Sequence, residues 1–191
     1  MSERAITKIL QRTEQGDPVA AEQLLPLVYD ELRKLATRKM GEESSTQTLQ
    51  PTALVHEAWL RLSGDNGRNT FSNRSHFFGA AAEAMRRILI ERARRRTAAK
   101  RGGGAAHLDV DAIEIAAPVA DDEALLRLNE ALEKLATVDA RKAELVKLRY
   151  FAGMKYEEAA MVLDIAVATA KEWWAYARAW LAVEMRAEAP E

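Results

Sequence analysis

The sequence predicts an all-α protein with two helical domains joined by a flexible acidic linker. Alanine, leucine, arginine and glutamate dominate, and apolar residues recur at steps of three and four nearly throughout. Three glycines at 102–104 are followed by an acidic segment without periodicity, which contains Pro118. We therefore expect a first domain at 1–101, a linker at 102–121 and a second domain at 122–187.

The first two helices are separated by a Gly16-Asp17-Pro18 break. The first is expected to run from Glu3 to Glu14. Asp17 can cap the second helix, and Pro18 suits its first turn. This second helix extends to about Met40, with a bend at Pro26. The residues expected to pack inward are Ile6, Ile9, Leu10, Leu24, Leu25, Val28, Leu32 and Leu35.

A third helix is expected to begin at Pro51, after a polar loop at 41–50. Its predicted buried stripe consists of Leu54, Val55, Ala58, Trp59 and Leu62. Its other face carries Thr52, Ala53, His56, Glu57 and Leu60. The helix breaks at 63–67, and a loop runs on to about Asn73.

A fourth helix, roughly Ser75 to Lys100, joins an apolar stripe to a basic cluster. Eight of the residues 86–101 are Arg or Lys, whereas residues 107–123 contain six acids and no Lys or Arg. A row of arginines neutralises phosphates and gives affinity without base selection, although a solvated helix end is the alternative interpretation. The inward residues are Phe78, Ala81, Met85, Ile88 and Leu89; the arginines expected on the outer side are Arg86, Arg87, Arg94 and Arg95.

The second domain is predicted to begin near Asp122 and to end in a helical hairpin. One helix buries Leu125, Leu128, Leu132 and Leu135, and the next, Ala140 to Phe151, buries Leu145, Leu148 and Tyr150 or Phe151. The hairpin spans Phe151 to Leu181, with a short turn at Asp164-Ile165-Ala166, the length that a helix-turn-helix uses. An ordinary core hairpin has the same pattern. The inward hairpin residues are Tyr156, Ala159, Ala160, Leu163, Val167, Ala170, Trp174, Ala177 and Leu181.

Several kinds of site are disfavoured by the sequence. His56-Glu57 lacks the second histidine of a zinc-protease motif, because Leu60 stands there. The three glycines lack the Gly-Lys-Ser/Thr ending of a phosphate-binding loop. We expect no catalytic residue, metal or cofactor. The absence of cysteine, of a signal peptide and of a membrane span favours the cytoplasm.

Three segments in this order resemble bacterial RNA polymerase sigma factors of the extracytoplasmic-function (ECF) group. They are Gln50–Leu62, Phe77–Arg96 and Leu148–Leu181, and the resemblance covers about Ile6 to Met185. It implies a non-enzymatic subunit that binds core RNA polymerase and promoter DNA.

The resemblance also implies roles for individual residues. The third helix would bind the polymerase clamp, through Gln50, Thr52, Ala53, His56, Glu57 and Leu60. The following loop and the fourth helix would hold the opened −10 element, through Asn66, Arg68, Asn69, Phe71, Asn73, Arg74, Arg86, Arg87, Arg94 and Arg95. The last helix would read the −35 element in the major groove, through Thr169, Lys171, Glu172, Tyr176 and Arg178. The linker would thread the RNA exit path of the polymerase.

The chain departs from the family pattern in its recognition helix. Glu172 stands where a basic residue is common, and Ala170 replaces a larger aliphatic residue. Asp164 stands where the turn usually has glycine, although Asp tolerates the left-handed conformation. We therefore expect weak or altered binding to −35 DNA.

A second departure concerns the clamp-binding helix. Family members usually have acids where this chain has Gln50 and Ala53, with Thr52 between them. A subgroup that lacks these acids is switched on by Ser/Thr protein kinases. This resemblance predicts phosphorylation of Thr52, with Ser44, Ser45, Thr46 and Thr48 as rival sites; the alternative is that Thr52 is an ordinary helix-start residue. An anti-sigma factor is a further partner to test. The alternatives from other classes are a stand-alone helix-turn-helix regulator and a helical protein-interaction adaptor.

Overall fold

The computed structural model is helical in every continuous segment that it describes. The described residues are 8, 9, 12, 32, 36, 51–63, 71, 73–100 and 122–187. No strand occurs among them. No helix within this part of the chain is long and apolar enough to cross a membrane. The predicted all-α class is confirmed.

Six α-helices and one π-helical turn make up the continuous segments. They are α1 (Pro51–Ser63), α2 (Arg74–Lys100), α3 (Asp122–Val138), α4 (Ala140–Val146), the π turn (Lys147–Phe151), α5 (Tyr156–Leu163) and α6 (Val167–Ala187). Five earlier residues are also helical, as predicted: Lys8, Ile9, Arg12, Leu32 and Ala36. The remainder of the first two predicted helices and the linker at 102–121 lie outside the described residues.

Side-chain caps set the start of two helices. Asn73 Oδ1 accepts a hydrogen bond of 2.8 Å from the backbone N–H of His76, so α2 begins one residue before the predicted start. Asp139 Oδ1 accepts one of 3.0 Å from the backbone N–H of Lys142 at the start of α4. Such caps satisfy N–H groups that have no partner within the helix.

The helix predicted from Ala140 to Phe151 is interrupted. Its regular part ends at Val146, and a π-helical turn follows, in which the N–H of Ala152 reaches back five residues to the carbonyl of Lys147 at 3.2 Å. Apolar spacing does not distinguish this wider turn from an α-helix. The expected core residue Phe151 is fully buried, whereas Tyr150 is only partly buried.

The turn between α5 and α6 has the predicted length. Asp164 is left-handed, with φ 52° and ψ 56°. The N–H of Ile165 donates to the carbonyl of Ala160 at 3.0 Å, and the N–H of Asp164 donates to Met161 at 3.4 Å. These two bonds form a Schellman motif, which ends α5.

Helix α2 is central to the packing. The helix α1 lies against one side, and α3, the π turn and α5 lie against another. All five predicted inward residues of α2 are buried, but Ile90 and Ala93 are buried as well. The positions 79, 83, 86 and 90 recur at steps of four and three and form a second stripe. Helix α2 is therefore covered on two sides, and the buried residues of both halves form one core. The division into domains at 1–101 and 122–187 stays a prediction.

Candidate nucleic-acid and polymerase surfaces

The outer face of α1 is nearly uncharged. Ala53 and His56 are exposed, and the Leu60 side chain is 58% exposed, at steps of three and four along the helix. No acid lies in the first turn. Thr52 is the second residue of α1, and its side chain is not among those described; Gln50 lies outside the described residues. Among the described residues of this face, the one acid is therefore Glu57.

Glu57, the acid expected on this face, is held by two arginines. Its Oε1 lies 3.1 Å from Arg61 Nη2, and its Oε2 lies 3.0 Å from Arg92 Nη2. Arg61 also forms a two-pronged pair with Glu91 of α2, at 3.0 and 2.6 Å. The hydrogen bond from Arg61 lowers the pKa of Glu91. These pairs fasten α1 to α2 and offset the charge of Glu57.

Phe71 is buried rather than offered to solvent. Its ring makes edge contacts with His76 and Phe77, with centroids 5.6 and 5.1 Å apart. In this conformation it packs in the core beside the start of α2. Asn73 acts as the cap of that helix. The other expected residues of this loop, Asn66, Arg68 and Asn69, lie outside the described residues, as does the side chain of Arg74.

The four arginines predicted to share the outer side of α2 are not equivalent. Arg87, Arg94 and Arg95 are exposed. The Arg86 side chain is only 13% exposed and points toward α3, where Nη1 donates to Asn129 Oδ1 and lies 3.5 Å from Glu133 Oε1. In this conformation the four arginines therefore do not form a single exposed stripe.

Glu83 is an ionic centre that is not among the residues predicted from the sequence. Its carboxylate pairs with Arg86 at 2.9 Å, with Arg87 at 2.9 Å and with Lys147 of the π turn at 3.2 Å. Burial acts to raise the pKa of Glu83, but the hydrogen bonds from Arg86 and Arg87 and the charge of Lys147 outweigh it and lower the pKa to about 2. The spacing of Glu83 three and four residues before these arginines was a readable signal for the local pairs.

The residues expected to read DNA on α6 fall on two sides of the helix. Thr169, Glu172 and Tyr176 recur at steps of three and four. Lys171 and Arg178 lie seven residues apart on a different side, and both are exposed. The Lys171 ammonium lies 5.9 Å from the ring centre of Tyr156 on α5. The structure therefore brings together three of the five and separates the other two from them.

Aromatic residues on α6 pack beneath cations of α4. Arg141 and Lys142 lie 5.1 and 5.4 Å from the ring centre of Trp173, and Lys142 lies 5.0 Å from that of Tyr176. Tyr176 is still 48% exposed. Arg141 also donates to the carbonyl of Leu163 at 2.9 Å, at the end of α5. This cluster joins α4 to both helices of the hairpin and leaves Tyr176 accessible.

A further arginine, Arg149, fixes the two hairpin helices from inside. Its guanidinium carbon lies 3.5 Å from the ring centre of Tyr156 and 4.7 Å from that of Trp174. Its Nη1 donates to the carbonyl of Met154 at 3.2 Å, and burial lowers the pKa of Arg149. No role is predicted for Arg149 from the sequence pattern.

No metal site is formed by the described side chains, since no group of three or more His, Cys, Asp or Glu residues is suitably placed among them. A family model described as ECF sigma factor matches residues 3–187. Comparisons with curated proteins and with solved structures gave no significant match.

Proposed function

The chain belongs to the ECF sigma factor family, and on this premise we propose how its parts divide the work of transcription initiation. Members of this family bind core RNA polymerase and promoter DNA and have no catalytic activity of their own. We assign clamp binding and −10 melting to residues 1–101 and −35 recognition to 122–187. The support is the exposed outer face of α1, the exposed cations of α2 and the exposed residues of α6.

We further propose that phosphorylation of Thr52 activates polymerase binding. The observation that carries this proposal is the charge of α1: no acid lies in its first turn, and Glu57 is paired with Arg61 and Arg92. A basic clamp would find no uncompensated carboxylate among the described residues of this face. A kinase-added phosphate would supply the missing charge.

The position of Thr52 favours such a group. It is the second residue of α1, where backbone N–H groups have no partner within the helix and the dipole attracts anions. A phosphate brings about −1.5 to −2 charges at neutral pH. The interaction of the phosphate with the helix dipole alone would stabilise α1 by about 0.3–1 kcal/mol. The phosphate would also be attracted to the basic clamp.

The test is binding to purified core RNA polymerase, with and without phosphorylation. Unmodified protein should bind weakly, and phosphorylated protein or Thr52→Glu should bind about tenfold or more tightly, which is a change of about 1.4 kcal/mol. Thr48→Ala and Thr46→Ala serve as matched controls in the preceding loop and should remain activatable. Normal transcription by Thr52→Ala in cells that receive the activating signal would exclude Thr52 as the switch.

For the second half, we propose that the side of α6 bearing Tyr176 faces the −35 element. Thr169, Glu172 and Tyr176 lie together, and Lys142 of α4 stands beside them. Tyr176→Ala should weaken protection of −35 DNA in the holoenzyme, whereas Lys171→Ala on the other side should weaken it less. A larger loss of protection in Lys171→Ala than in Tyr176→Ala would indicate that the Lys171 side of α6 faces DNA.

The alternatives differ in what they bind. A stand-alone helix-turn-helix regulator would bind duplex DNA without polymerase, and a helical adaptor would bind neither. Co-purification with core polymerase, followed by promoter-dependent transcription, separates the three functions. Among the three functions, binding of an anti-sigma factor or a Ser/Thr kinase is compatible with the sigma factor function alone.

A further inference from the structure

Glu172 lies at the centre of the outer side of α6. The buried residues of this helix are Ala170, Trp174, Ala177, Leu181 and Met185. Because successive residues are about 100° apart around a helix, Glu172 falls opposite this buried face. It is exposed, and its carboxylate has no hydrogen bond or ion pair with the residues that the structure describes. The carboxylate is therefore available to a molecule that docks on this side of α6.

The neighbours of Glu172 on the helix surface are uncharged and mostly short. One turn before it lies Ala168, and one turn after it lies Ala175; both are exposed. Thr169 and Tyr176 occupy the other positions at steps of three and four. No cation at these positions offsets the carboxylate, and the two alanines allow a base edge to approach the helix closely.

Cations lie on the two flanks of this side rather than at its centre. Lys171 is exposed on the flank next to α5, where its ammonium lies 5.9 Å from the ring centre of Tyr156. On the other flank, the exposed Arg141 of α4 lies 5.1 Å from the ring centre of Trp173. The major groove has a matching layout, because two phosphate backbones about 12 Å apart border its base edges. The flanking cations therefore suit phosphates, and Glu172 suits a base.

The chemistry of a carboxylate restricts which base this can be. Between two rows of phosphates a carboxylate is unfavourable unless a base donates a hydrogen bond to it. Guanine and thymine present acceptors in the major groove, so they leave the carboxylate unpaired. Adenine donates from N6 but has the acceptor N7 beside it, a pattern that suits the amide of Gln or Asn. Cytosine donates from N4 and has no acceptor beside it on the same base, so it is the base that compensates the charge.

We propose that Glu172 selects a cytosine in the −35 element by accepting a hydrogen bond from its N4 amino group. This inference rests on the proposed −35 role of α6 and names the base that the site requires. Lys171 and Arg141 add affinity through phosphates, without base selection. Glu172 lowers the affinity for sequences that lack the cytosine, so it contributes to specificity by exclusion.

The first test is selection of promoters by the holoenzyme, assembled from the full chain and a saturating concentration of core RNA polymerase. The templates are randomised at the −35 and −10 elements, and those that are transcribed are sequenced. Wild type should enrich cytosine at one position of the −35 element. Glu172→Gln keeps the size of the side chain and removes its charge. It should enrich adenine at the same position, because Gln pairs with N6 and N7 of adenine.

Competition binding to a selected promoter measures the size of the effect. Replacing the selected cytosine by thymine should weaken binding of the wild-type holoenzyme about tenfold, and should weaken binding of Glu172→Gln much less. Lys171→Ala is the matched control at the neighbouring position. It should weaken binding to both promoters equally and lower the salt dependence by about 0.9, with the preference for cytosine unchanged.

The outcomes separate this inference from the proposed function. A wild-type preference for another base at every position, or the same base preferences in wild type and Glu172→Gln, would overturn the role of Glu172 and leave the −35 assignment of α6 in place. A holoenzyme that transcribes no template, or whose selected templates share no −35 sequence, would overturn the proposed function and this inference with it. A change from cytosine to adenine at one position in Glu172→Gln, but not in Lys171→Ala, supports the inference.

Discussion

The guanidinium carbon of Arg149 lies 3.5 Å from the ring centre of Tyr156, across the junction between the π turn and α5. Trp174 of α6 lies near the same guanidinium, at 4.7 Å. One half-buried cation therefore contacts an aromatic ring on each helix of the hairpin. Its hydrogen bond to the Met154 carbonyl anchors it to the segment that precedes α5.

Replacing this cation should loosen the hairpin. Arg149→Met should lower the free energy of unfolding by about 1–3 kcal/mol, because it removes cation–π contacts and the hydrogen bond to Met154. Arg149→Lys keeps the charge but loses the planar stacking, so its free energy of unfolding should lie between those of wild type and Arg149→Met. Urea unfolding measures the difference. Equal stability of wild type and Arg149→Met would show that the contacts contribute nothing net.

Freeing the carboxylate of Glu57 should partly replace phosphorylation. In Arg92→Gln, Glu57 keeps Arg61 at 3.1 Å but loses its second partner at 3.0 Å, so the α1 face gains net negative charge. Unmodified Arg92→Gln should therefore bind core polymerase several-fold more tightly than wild type. Such a change in affinity corresponds to a binding free energy of about 1 kcal/mol. The control is Glu57→Gln/Arg92→Gln, in which the same arginine is absent but no carboxylate is released. A gain that survives in this double variant would have a cause other than Glu57.

Truncation of Phe71 distinguishes a core residue from a base contact. Because the ring packs against Phe77 and is buried, Phe71→Ala should lower the free energy of unfolding by about 3 kcal/mol. Phe71→Leu should cost less than about 1.5 kcal/mol, since it nearly conserves volume. Thermal and urea unfolding test both values. Unchanged stability in Phe71→Ala, combined with a loss of promoter opening, would instead assign the ring to the flipped base.

The contact between α2 and the π turn should weaken in acid. The carboxylate of Glu83 faces Arg86 and Arg87 on its own helix and Lys147 on the π turn; Glu144 and Glu133 lie beside these cations. Since the pKa of Glu83 is lowered from 4.5 to about 2, its contribution to stability is complete above pH 4.5 and is lost as the pH falls toward 2.

Amide hydrogen exchange of α2 between pH 5 and about pH 2, corrected for intrinsic rates, measures this loss. Glu83→Gln cannot titrate and should show a smaller change across the same interval. An identical pH dependence in wild type and Glu83→Gln would assign the transition to other carboxylates.

Local features of the fold were predictable from sequence because they depend on neighbours along the chain. The buried stripes of α1 and α3 follow the helical period, although Trp59 of the α1 stripe is only partly buried. The left-handed turn at Asp164 and its length follow from residue type and spacing.

Features that depend on packing between distant elements were not predictable. Arg86 and Asn129 are 43 residues apart, and no local pattern pairs them. The cap at Asn73 is a local feature that was nevertheless not predicted, because capping and base contact favour the same residue type; the contact of Asn73 with DNA stays a prediction. The second buried stripe of α2 was missed because a glycine, a glutamate and an arginine at 79, 83 and 86 do not read as a core face. These positions form a core face only because α3, the π turn and α5 pack over them.

The position of Arg86 also bears on the search for promoters. A chromosome offers about 10⁶–10⁹ competing sites to any protein that binds phosphates, and each additional phosphate contact steepens the salt dependence of such binding by about 0.9. In this conformation Arg86 donates to Asn129 and Glu133, so we expect it to add little to that background. If Arg86 has the proposed role in binding phosphates, a subunit in which this arginine is paired internally should bind bulk DNA less readily and remain available for polymerase.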